Sequence, residues 1–137
     1  MSGIEVIYEG QLSTRCILEE TKEEICTDGP KEIQGRGQFF SPTDLFAASL
    51  GSCILTMMGM AAHRMKVELG RTKAFVSKEL SKDLPRRIQK IQVRIECPVS
   101  FSEEVRLKLE TAAKTCPVHH SLHPDMEQQI TFQWGSP

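Results

Sequence analysis

SPTDLFAASLGSCILTMMGMAA, residues 41–62, is the stretch that decides the fold of this chain. It begins with a helix start signal, because Ser41 suits the N-cap, Pro42 the first helical position and Asp44 a capping box. From residue 45 to residue 62 no side chain is charged, and the polar interruptions are small. A helix without a polar face is usually covered on all sides, so the pattern predicts a buried central helix.

The same run also approaches the length of a membrane span, which is the alternative interpretation. The chain holds one such run only, and its small and hydroxyl side chains lower its hydropathy. The rest of the sequence consists mostly of alternating patterns, typical of strands that need a core helix to pack on. We therefore expect a core helix and no membrane association.

Small residues recur along this run at a spacing of four, as Ala47 with Gly51 and Ala48 with Ser52. Such pairs let another backbone come close, and a chain of 137 residues has little else to surround the helix. A second copy of the chain could supply the missing cover. We therefore expect a homodimer, which a bulky residue at Gly51 should disrupt.

The overall composition is that of an ordinary globular chain, with 39% hydrophobic and 26% charged residues. Because 17 basic residues are balanced by 18 acidic ones, there is no electrostatic signature of nucleic acid or anionic membrane as a partner. The N-terminus has no basic, apolar and cleavage regions of a secretory signal. These features predict a single domain over residues 1–137 with a cytoplasmic location.

Five cysteines without C-x-x-C pairs indicate reduced thiols, some of them chemically active. Cys53 lies in the middle of the apolar run, with Ser49 and Met57 one turn to either side. Cys97 ends an alternating segment on its apolar side, where a cysteine usually behaves as a small inert hydrophobe.

Alternation of apolar and polar residues predicts strands on both sides of the central helix. A second helix is expected from Ser102, as N-cap in a capping-box pattern, to about Lys114. Its apolar face is assigned to Val105, Leu107, Leu109 and Ala112. The predicted strands are residues 4–8, 12–18, 24–27, 73–80, 88–97 and 128–134.

A glycine-rich loop leads into the central helix. Residues 28–30, Asp-Gly-Pro, form a turn signal, and Gly35 and Gly37 flank Arg36. Two adjacent aromatic residues, Phe39 and Phe40, close the loop and either staple it to the helix or line a pocket. The staple is the commoner arrangement.

The second informative motif is TCPVHHSLHP, residues 115–124. Cys116 followed by Pro117 reads as the cap of a short helix, where backbone N–H groups and the helix dipole favour a thiolate. Cys116, His119 and His123 also have a spacing that could hold a metal, although Pro124 shortens the helix and a fourth ligand would come from elsewhere.

The pattern SP-x-D-L-x-A-A-S-L-G-S-C, with a C-P-V motif about sixty residues later, resembles the OsmC/Ohr superfamily of osmotically induced and organic hydroperoxide resistance proteins. The resemblance extends over almost the whole chain in the order of its elements. It implies an α+β fold, a sandwich of antiparallel sheet and helices with a buried central helix, assembled as an intertwined homodimer. It also implies a thiol peroxidase that uses neither metal nor haem.

Carried onto this chain, the resemblance makes Cys53 the thiol that attacks an organic hydroperoxide and Cys116 the thiol that resolves the sulfenic acid to a disulfide. An unidentified thiol would be the reductant. An arginine would support the thiolate, and both Arg36 and Arg15 are candidates. Arg36 is preferred because its flanking glycines allow a tight, exposed loop near the helix start.

The sequence departs from the better-known peroxidases of that superfamily at one position. They have a glutamate ten residues before the attacking cysteine, where this chain has Thr43, with Asp44 one place later. At about 100° per residue, Asp44 and Cys53 fall on opposite sides of an unbroken helix. Asp44 could therefore act in catalysis only through a kink or across the dimer, and a capping role would suffice for it.

An alternative function is a noncatalytic dimer that binds an apolar ligand between its subunits, lined by Phe39, Phe40, Phe46 and the methionines. Individually, those methionines are more often core residues. A metal site at Cys116, His119 and His123 is the further alternative.

Overall fold

The structure is a computed structural model that describes residues 3–135. The ends of the predicted domain, residues 1–2 and 136–137, lie outside this part. The chain divides into two compact units, one up to Phe46 and one from Ala47 onward. The prediction of a single domain stays a prediction, and the two units are described in turn.

The first unit is built on a three-stranded antiparallel sheet in the order β1-β2-β3. Its turn between β1 and β2 lies at Gln11 and Leu12, both with positive φ. A short 3-10 helix, Lys31–Ile33, lies in the following loop. The strands are β1 Ile4–Gly10, β2 Ser13–Leu18 and β3 Glu24–Asp28.

One face of this first sheet is apolar and exposed. The register pairs Val6 with Cys16 and Cys16 with Ile25, so these three side chains share a face. Ile4 and Tyr8 belong to the same face of β1, and both are 66% exposed. The buried residues within positions 3–46 are small or polar, which leaves this unit without an apolar core of its own. They are Ser13, Thr27, Asp28, Gly29 and Ser41.

The central helix α1, Pro42–Met65, begins where the sequence predicts. Ser41 N–H donates to Asp44 Oδ2 at 3.0 Å, and Asp44 N–H donates to Ser41 Oγ at 3.1 Å. These reciprocal bonds form a capping box that satisfies donors at the helix start. The capping prediction is confirmed, and the helix runs three residues beyond the predicted end at residue 62.

The second unit is organised around a second three-stranded sheet in the order β4-β5-β6. β4 and β5 are antiparallel, whereas β5 and β6 are parallel, so the expectation of a wholly antiparallel sheet is wrong for this pair. Parallel neighbours require a crossover, which here contains two helices. The elements are β4 Lys73–Leu80, β5 Ile88–Cys97, α2 Glu103–Ala113, α3 Pro117–His120 and β6 Glu127–Trp134.

The hydrophobic core of the chain lies in this second unit. Alternate residues of β5 are almost inaccessible, as Ile91 is 0%, Val93 2% and Ile95 1% exposed. They pack against one side of α1, the buried residues of α2 and the buried Cys116, and the partly buried Val118 of α3 packs against the same core. The α1 side chains in this core are Ala47, Leu50, Ile54, Met58 and Ala62.

Gly51 lies at the contact between α1 and its own chain's second sheet. A Cβ added there would stand 2.7 Å from Val76 Cγ2 and 3.6 Å from the Ala74 Cβ. The small residue thus serves close packing of α1 on β4 within one chain. A bulky residue at Gly51 would collide with Val76 within one chain, and its expected effect on a homodimer stays a prediction.

The expectation that α1 is buried on all sides is also wrong for a single chain. One helix among the described residues, α1, is long and apolar enough to cross a membrane, and 33% of its most apolar window is buried. Its buried side packs on a sheet with open edges, which does not occur in the hydrocarbon region of a bilayer. The packing is that of a core helix with one side left uncovered.

The helix α2 begins as predicted, with Val105 N–H donating to the Ser102 hydroxyl at 3.3 Å. A complete capping box has a Glu or Gln at the third helical position, whose side chain accepts from the N-cap N–H. Val105 occupies that position here, so the capping box is incomplete. Leu109 is buried, but Leu107 is 56% exposed, which corrects its assignment to the apolar face. Residues two apart on a helix point about 200° apart and cannot both face the core.

Candidate functional site: a thiol pair

Two cysteines from distant parts of the second unit meet in the structure. Cys53 lies in the middle of α1, half-buried at the edge of the core. Cys116 is the N-cap of α3, because Pro117 at the first helical position sets the required backbone turn there. The two thiols lie close enough to interact with each other. The structure therefore brings together the two sulfurs that the resemblance pairs, and both remain free thiols.

The Cys116 sulfur also accepts hydrogen bonds from the backbone. His119 N–H donates to it at 3.3 Å, and Val118 N–H is a second donor. These bonds favour the thiolate, as the cap position predicts, but they do not dominate. Burial, together with the neighbouring Cys53 thiol, raises the pKa of Cys116 above its ordinary value of 9.0. The expectation of a thiolate at Cys116 is therefore wrong, because desolvation outweighs the backbone donors.

The two sulfurs differ in how accessible they are. Cys116 is 0% exposed, whereas Cys53 packs against the edge of the core and is partly accessible. A molecule approaching the pair meets Cys53 first.

A glutamine on β6 holds the helix that carries Cys116. Gln128 Oε1 lies 2.5 Å from His119 Nδ1, and Gln128 Nε2 donates to the His119 carbonyl at 3.5 Å. With the glutamine oxygen as acceptor, the His119 ring carries its proton on Nδ1. No motif singles out Gln128 in the sequence, because a glutamine inside an alternating strand has no distinctive signal.

The structure does not support the alternative of a metal centre. Within residues 3–135, no three or more histidine, cysteine, aspartate or glutamate side chains converge on a common point. The helix α3 ends at His120, so His123 is not on the helical face that carries Cys116 and His119. The His123 ring instead accepts a hydrogen bond from Asp125 N–H at 3.0 Å. The predicted set of Cys116, His119 and His123 is therefore wrong as a metal site.

Arg36 lies in the loop of the first unit, between Gly35 and Gly37 as the sequence shows, and it is exposed. It is close enough to Asp28 to act on that carboxylate electrostatically. Asp28 itself is 0% exposed. The Ser13 hydroxyl, followed by backbone N–H groups and Arg36, holds the pKa of Asp28 below its ordinary value of 3.8, although burial opposes this.

Arg15, the other candidate arginine, is held by two carboxylates of its own sheet. Its Nε lies 2.8 Å from Glu9 Oε1, and its Nη1 lies 2.8 Å from Glu24 Oε1. Glu24 first, and then Glu9, raise the pKa of Arg15. A guanidinium neutralised by two carboxylates is a poor source of charge for a thiolate, which favours Arg36.

The remaining predicted residues have clear positions within the first unit. Asp44 is the capping partner of Ser41, and Thr43 Oγ1 lies 3.2 Å from the Ser41 hydroxyl. The three phenylalanines proposed to line an apolar site are exposed to 54% at Phe39, 56% at Phe40 and 38% at Phe46.

The methionines of α1 and the remaining cysteines have mixed environments. Met58 is a core residue, whereas Met60 is 46% exposed. Cys97 is buried as expected, with its thiol 3.7 Å from the Leu69 and Val99 carbonyl oxygens. Cys16 and Cys26 lie on opposite faces of the first sheet, so they cannot pair within one chain.

Both the sequence and the structure are similar to those of known proteins. Residues 35–131 match the family model described as OsmC-like protein. A structure from Psychrobacter arcticus 273-4, named provisionally as an osmotic stress induced and detoxification response protein, has a TM-score of 0.92 and 38% identity, and the match covers 97% of this chain and 96% of that one. Comparison with curated proteins gives no match.

Two organic hydroperoxide resistance proteins share the fold at lower identity. The one from Elizabethkingia anophelis has a TM-score of 0.77 and 18% identity over 98% of this chain and 96% of its own. The one from Legionella pneumophila, an OsmC, has a TM-score of 0.77 and 14% identity over 97% and 96%. At these identities the likeness concerns the α+β fold alone.

Proposed function

The chain belongs to the OsmC-like protein family, and we propose that it is a thiol-dependent peroxidase that reduces organic hydroperoxides with Cys53 and Cys116. The observation that carries the proposal is that Cys53 and Cys116, from distant parts of the sequence, lie close enough for their thiols to interact. The names of the Elizabethkingia and Legionella proteins, both organic hydroperoxide resistance proteins, support the choice of substrate class.

In the first step, the Cys53 thiolate attacks one peroxide oxygen of the hydroperoxide ROOH. The S–O bond forms as the O–O bond breaks, which gives a sulfenic acid on Cys53 and an alkoxide that takes a proton to leave as ROH. The sulfur is oxidised by two electrons and the peroxide is reduced by two. The neutral Cys116 S–H group stabilises the starting thiolate as its hydrogen-bond donor.

In the second step, the Cys116 sulfur attacks the sulfenic sulfur. The S–S bond forms as the S–O bond breaks, and the Cys116 proton joins the leaving hydroxide as water. The N–H groups of His119 and Val118 stabilise the negative charge that develops on Cys116 as its proton leaves. Two equivalents of an external thiol then reduce the disulfide and restore both cysteines.

The order of the two sulfurs follows from their environments. Cys53 is partly accessible, whereas Cys116 is fully buried and has a raised pKa. The thiol that meets the peroxide must be both reachable and ionised. The accessibility of Cys53, together with the burial and raised pKa of Cys116, favours Cys53 as the attacking thiol and Cys116 as the resolving one.

Further parts of the proposal rest on the family resemblance. Arg36 supplies positive charge for the Cys53 thiolate and the peroxide oxygens, and Asp44 serves mainly as the helix cap. A homodimer supplies the cover that the exposed apolar side chains of the first sheet and of α1 lack. The cytoplasm, where thiol reductants are available, is the proposed location.

The test is to treat the protein with one equivalent of tert-butyl hydroperoxide and to map its thiols by mass spectrometry. The parent should join Cys53 to Cys116 and leave Cys16, Cys26 and Cys97 free. Cys116→Ser should stop at a sulfenic acid on Cys53, which dimedone traps. Cys53→Ser should consume no peroxide, and the exposed Cys26→Ser serves as the matched control with parental activity.

If Cys53→Ser consumes hydroperoxide as fast as the parent, the assignment of the attacking thiol is wrong. If no variant consumes any, the noncatalytic alternative takes precedence, in which the dimer binds an apolar ligand. The exposure of Phe39 and Phe40 favours that alternative, since exposed neighbouring aromatics commonly mark binding surfaces.

A further inference from the structure

The first unit buries a carboxylate although it has no apolar core. Asp28, the last residue of β3, is 0% exposed. A buried charge is costly unless hydrogen bonds compensate it, so its partners indicate what it serves.

Those partners lie in the loop that carries Arg36. The N–H groups of Gln38 and Phe39 donate to Asp28 Oδ2 at 3.0 and 3.1 Å. The Asp28 N–H in turn donates to the Phe40 carbonyl at 3.1 Å. Three hydrogen bonds therefore join Asp28 to residues 38–40, which closely follow Arg36 in the chain.

The other side of Arg36 is fastened to the turn that follows Asp28. Gly35 N–H donates to the Pro30 carbonyl at 3.0 Å, and Gly37 N–H donates to the Gly29 carbonyl at 3.2 Å. A Cβ at Gly35 would lie 1.9 Å from the Gly29 carbonyl oxygen, so only glycine fits there. Both neighbours of Arg36 are thus bonded to backbone, in a glycine-rich loop that would otherwise be mobile.

The carboxylate also connects the loop to the sheet. Ser13 is the register partner of Asp28 across β2 and β3, and its hydroxyl donates to Asp28 Oδ1. The loop is therefore attached through Asp28 to two strands.

We propose that Asp28 is a positioning residue, which fixes the Arg36 side chain in place by fastening residues 37–40 to the end of β3. Its effect on Cys53 oxidation rests on the proposed function, whereas its effect on the loop does not. The cost of burying the carboxylate is offset by its hydrogen bonds from Ser13, Gln38 and Phe39.

Two substitutions of Asp28 separate charge from anchoring. In Asp28→Asn the amide oxygen can still accept hydrogen bonds from the N–H groups of Gln38 and Phe39. The amide nitrogen can donate to the Ser13 hydroxyl, which then acts as acceptor and no longer as donor. This variant should keep the loop in place. Asp28→Ala removes every side-chain bond and should release it.

The rate of trypsin cleavage after Arg36 measures how often the loop opens, and the assay does not depend on peroxidase activity. The parent and Asp28→Asn should resist, whereas Asp28→Ala should be cut at least about tenfold faster, since proteolysis follows the local opening equilibrium. Cleavage after Arg86, in the exposed loop between β4 and β5, is the internal control and should not change. Equal cleavage after Arg36 in parent and Asp28→Ala would overturn the proposal.

A double-mutant cycle with Arg36→Ala then tests the positioning role through the rate of sulfenic acid formation in the Cys116→Ser background. Asp28→Ala should slow this step by about tenfold to a hundredfold when Arg36 is present. It should have no effect once Arg36 is alanine, because the two residues act as one unit. An equal slowing in both backgrounds would mean a merely structural role and would overturn the proposal.

Gly35→Ala provides a second route if Asp28→Ala fails to fold. It displaces the same loop through its collision with Gly29 while the carboxylate stays intact. It should give the same tryptic cut and the same dependence on Arg36, and parental behaviour in both assays would overturn the proposal. If the parent forms no sulfenic acid at all, the proposed function fails, and the tryptic assay still decides whether Asp28 anchors the loop.

Discussion

The two three-stranded sheets of this chain present their apolar faces to different surroundings. In the second sheet, Ile91 and Ile95 are 0% and 1% exposed, because α1, α2 and α3 cover them. In the first sheet, Ile4 and Tyr8 are each 66% exposed. Hydrophobic stabilisation is proportional to the apolar area removed from water, so the second sheet obtains it within one chain. The first sheet obtains it only when another surface covers that face.

A truncation in the core of the second unit should have the largest effect. Ile54 is 0% exposed, and Ile54→Ala should lower the free energy of unfolding by about 2–5 kcal/mol, since it leaves a cavity. Urea denaturation at one fixed protein concentration measures the change. Ile33→Ala, at a site that is 59% exposed, is the control and should stay within about 0.5 kcal/mol. A loss below about 1 kcal/mol at Ile54 would contradict the core assignment.

A charge on the exposed face of the first sheet should act on assembly instead. Val6→Asp places a carboxylate in the middle of that face and should raise the dimer dissociation constant by about tenfold or more. Sedimentation over a range of concentrations measures it. Glu5→Gln, on the opposite face of β1, changes the charge by one unit in the opposite direction and should leave assembly unchanged. A parent that stays a folded monomer at micromolar concentration would break the comparison.

Two glycines of α1 compare its covered and uncovered sides with the same substitution. Gly51→Ala should lower the free energy of unfolding by about 1–3 kcal/mol, because its Cβ meets Val76 at 2.7 Å. Gly59→Ala meets nothing within 4 Å in this chain and should raise stability by up to about 1 kcal/mol through helix propensity. Thermal and urea unfolding report both values. A loss at Gly59 would show that a partner chain packs closely there.

The smallest expected effect is on how the free energy of unfolding depends on pH. Asp28 of the first unit is responsible in acid, and Cys116 of the second unit is responsible in alkali. The lowered pKa of Asp28 stabilises the fold above pH 3.8, and this contribution is lost as pH falls through the folded-state pKa. The raised pKa of Cys116 acts in the opposite direction, because its contribution is lost as pH rises above 9.0. Urea midpoints should therefore fall less in acid for Asp28→Asn than for the parent, and less in alkali for Cys116→Ser. Parallel curves for all three proteins would contradict both assignments.

The local signals in the sequence predict the elements well. The capping box of Ser41 and Asp44, the alternation along β5 and the proline at position 117 depend on neighbouring residues only, and the structure contains all three features. The apolar period of a strand shows which face is apolar but not which molecule covers it. For that reason, the sequence alone cannot show that the side of α1 at Gly51 is covered by its own chain while another side of the helix is not.

The candidate site is less accessible to sequence reasoning because it depends on burial and on contacts between distant residues. The cap at Cys116 predicts a lowered pKa, and the burial of the sulfur, together with the neighbouring Cys53, reverses that direction. Asp28 reads as an ordinary turn residue, since nothing in its neighbours announces that its side chain will bind residues 38 and 39. The roles assigned to Cys53, Cys116, Arg36 and Asp44 stay predictions until the thiols are mapped.

The parallel pairing of β5 and β6 also has a consequence in time. This pairing requires a crossover between β5 and β6, and Cys116 lies in that crossover, whereas Cys53 lies in α1, before β4 and β5. The two thiols are therefore separated by roughly sixty residues of chain. At synthesis rates of about 5–20 residues per second, Cys53 is made about 3–13 s before Cys116. If the proposed chemistry holds, a sulfenic acid formed on the nascent chain in that interval has no resolving thiol and is open to irreversible oxidation. The protein is then most vulnerable to its own substrate while it is being made.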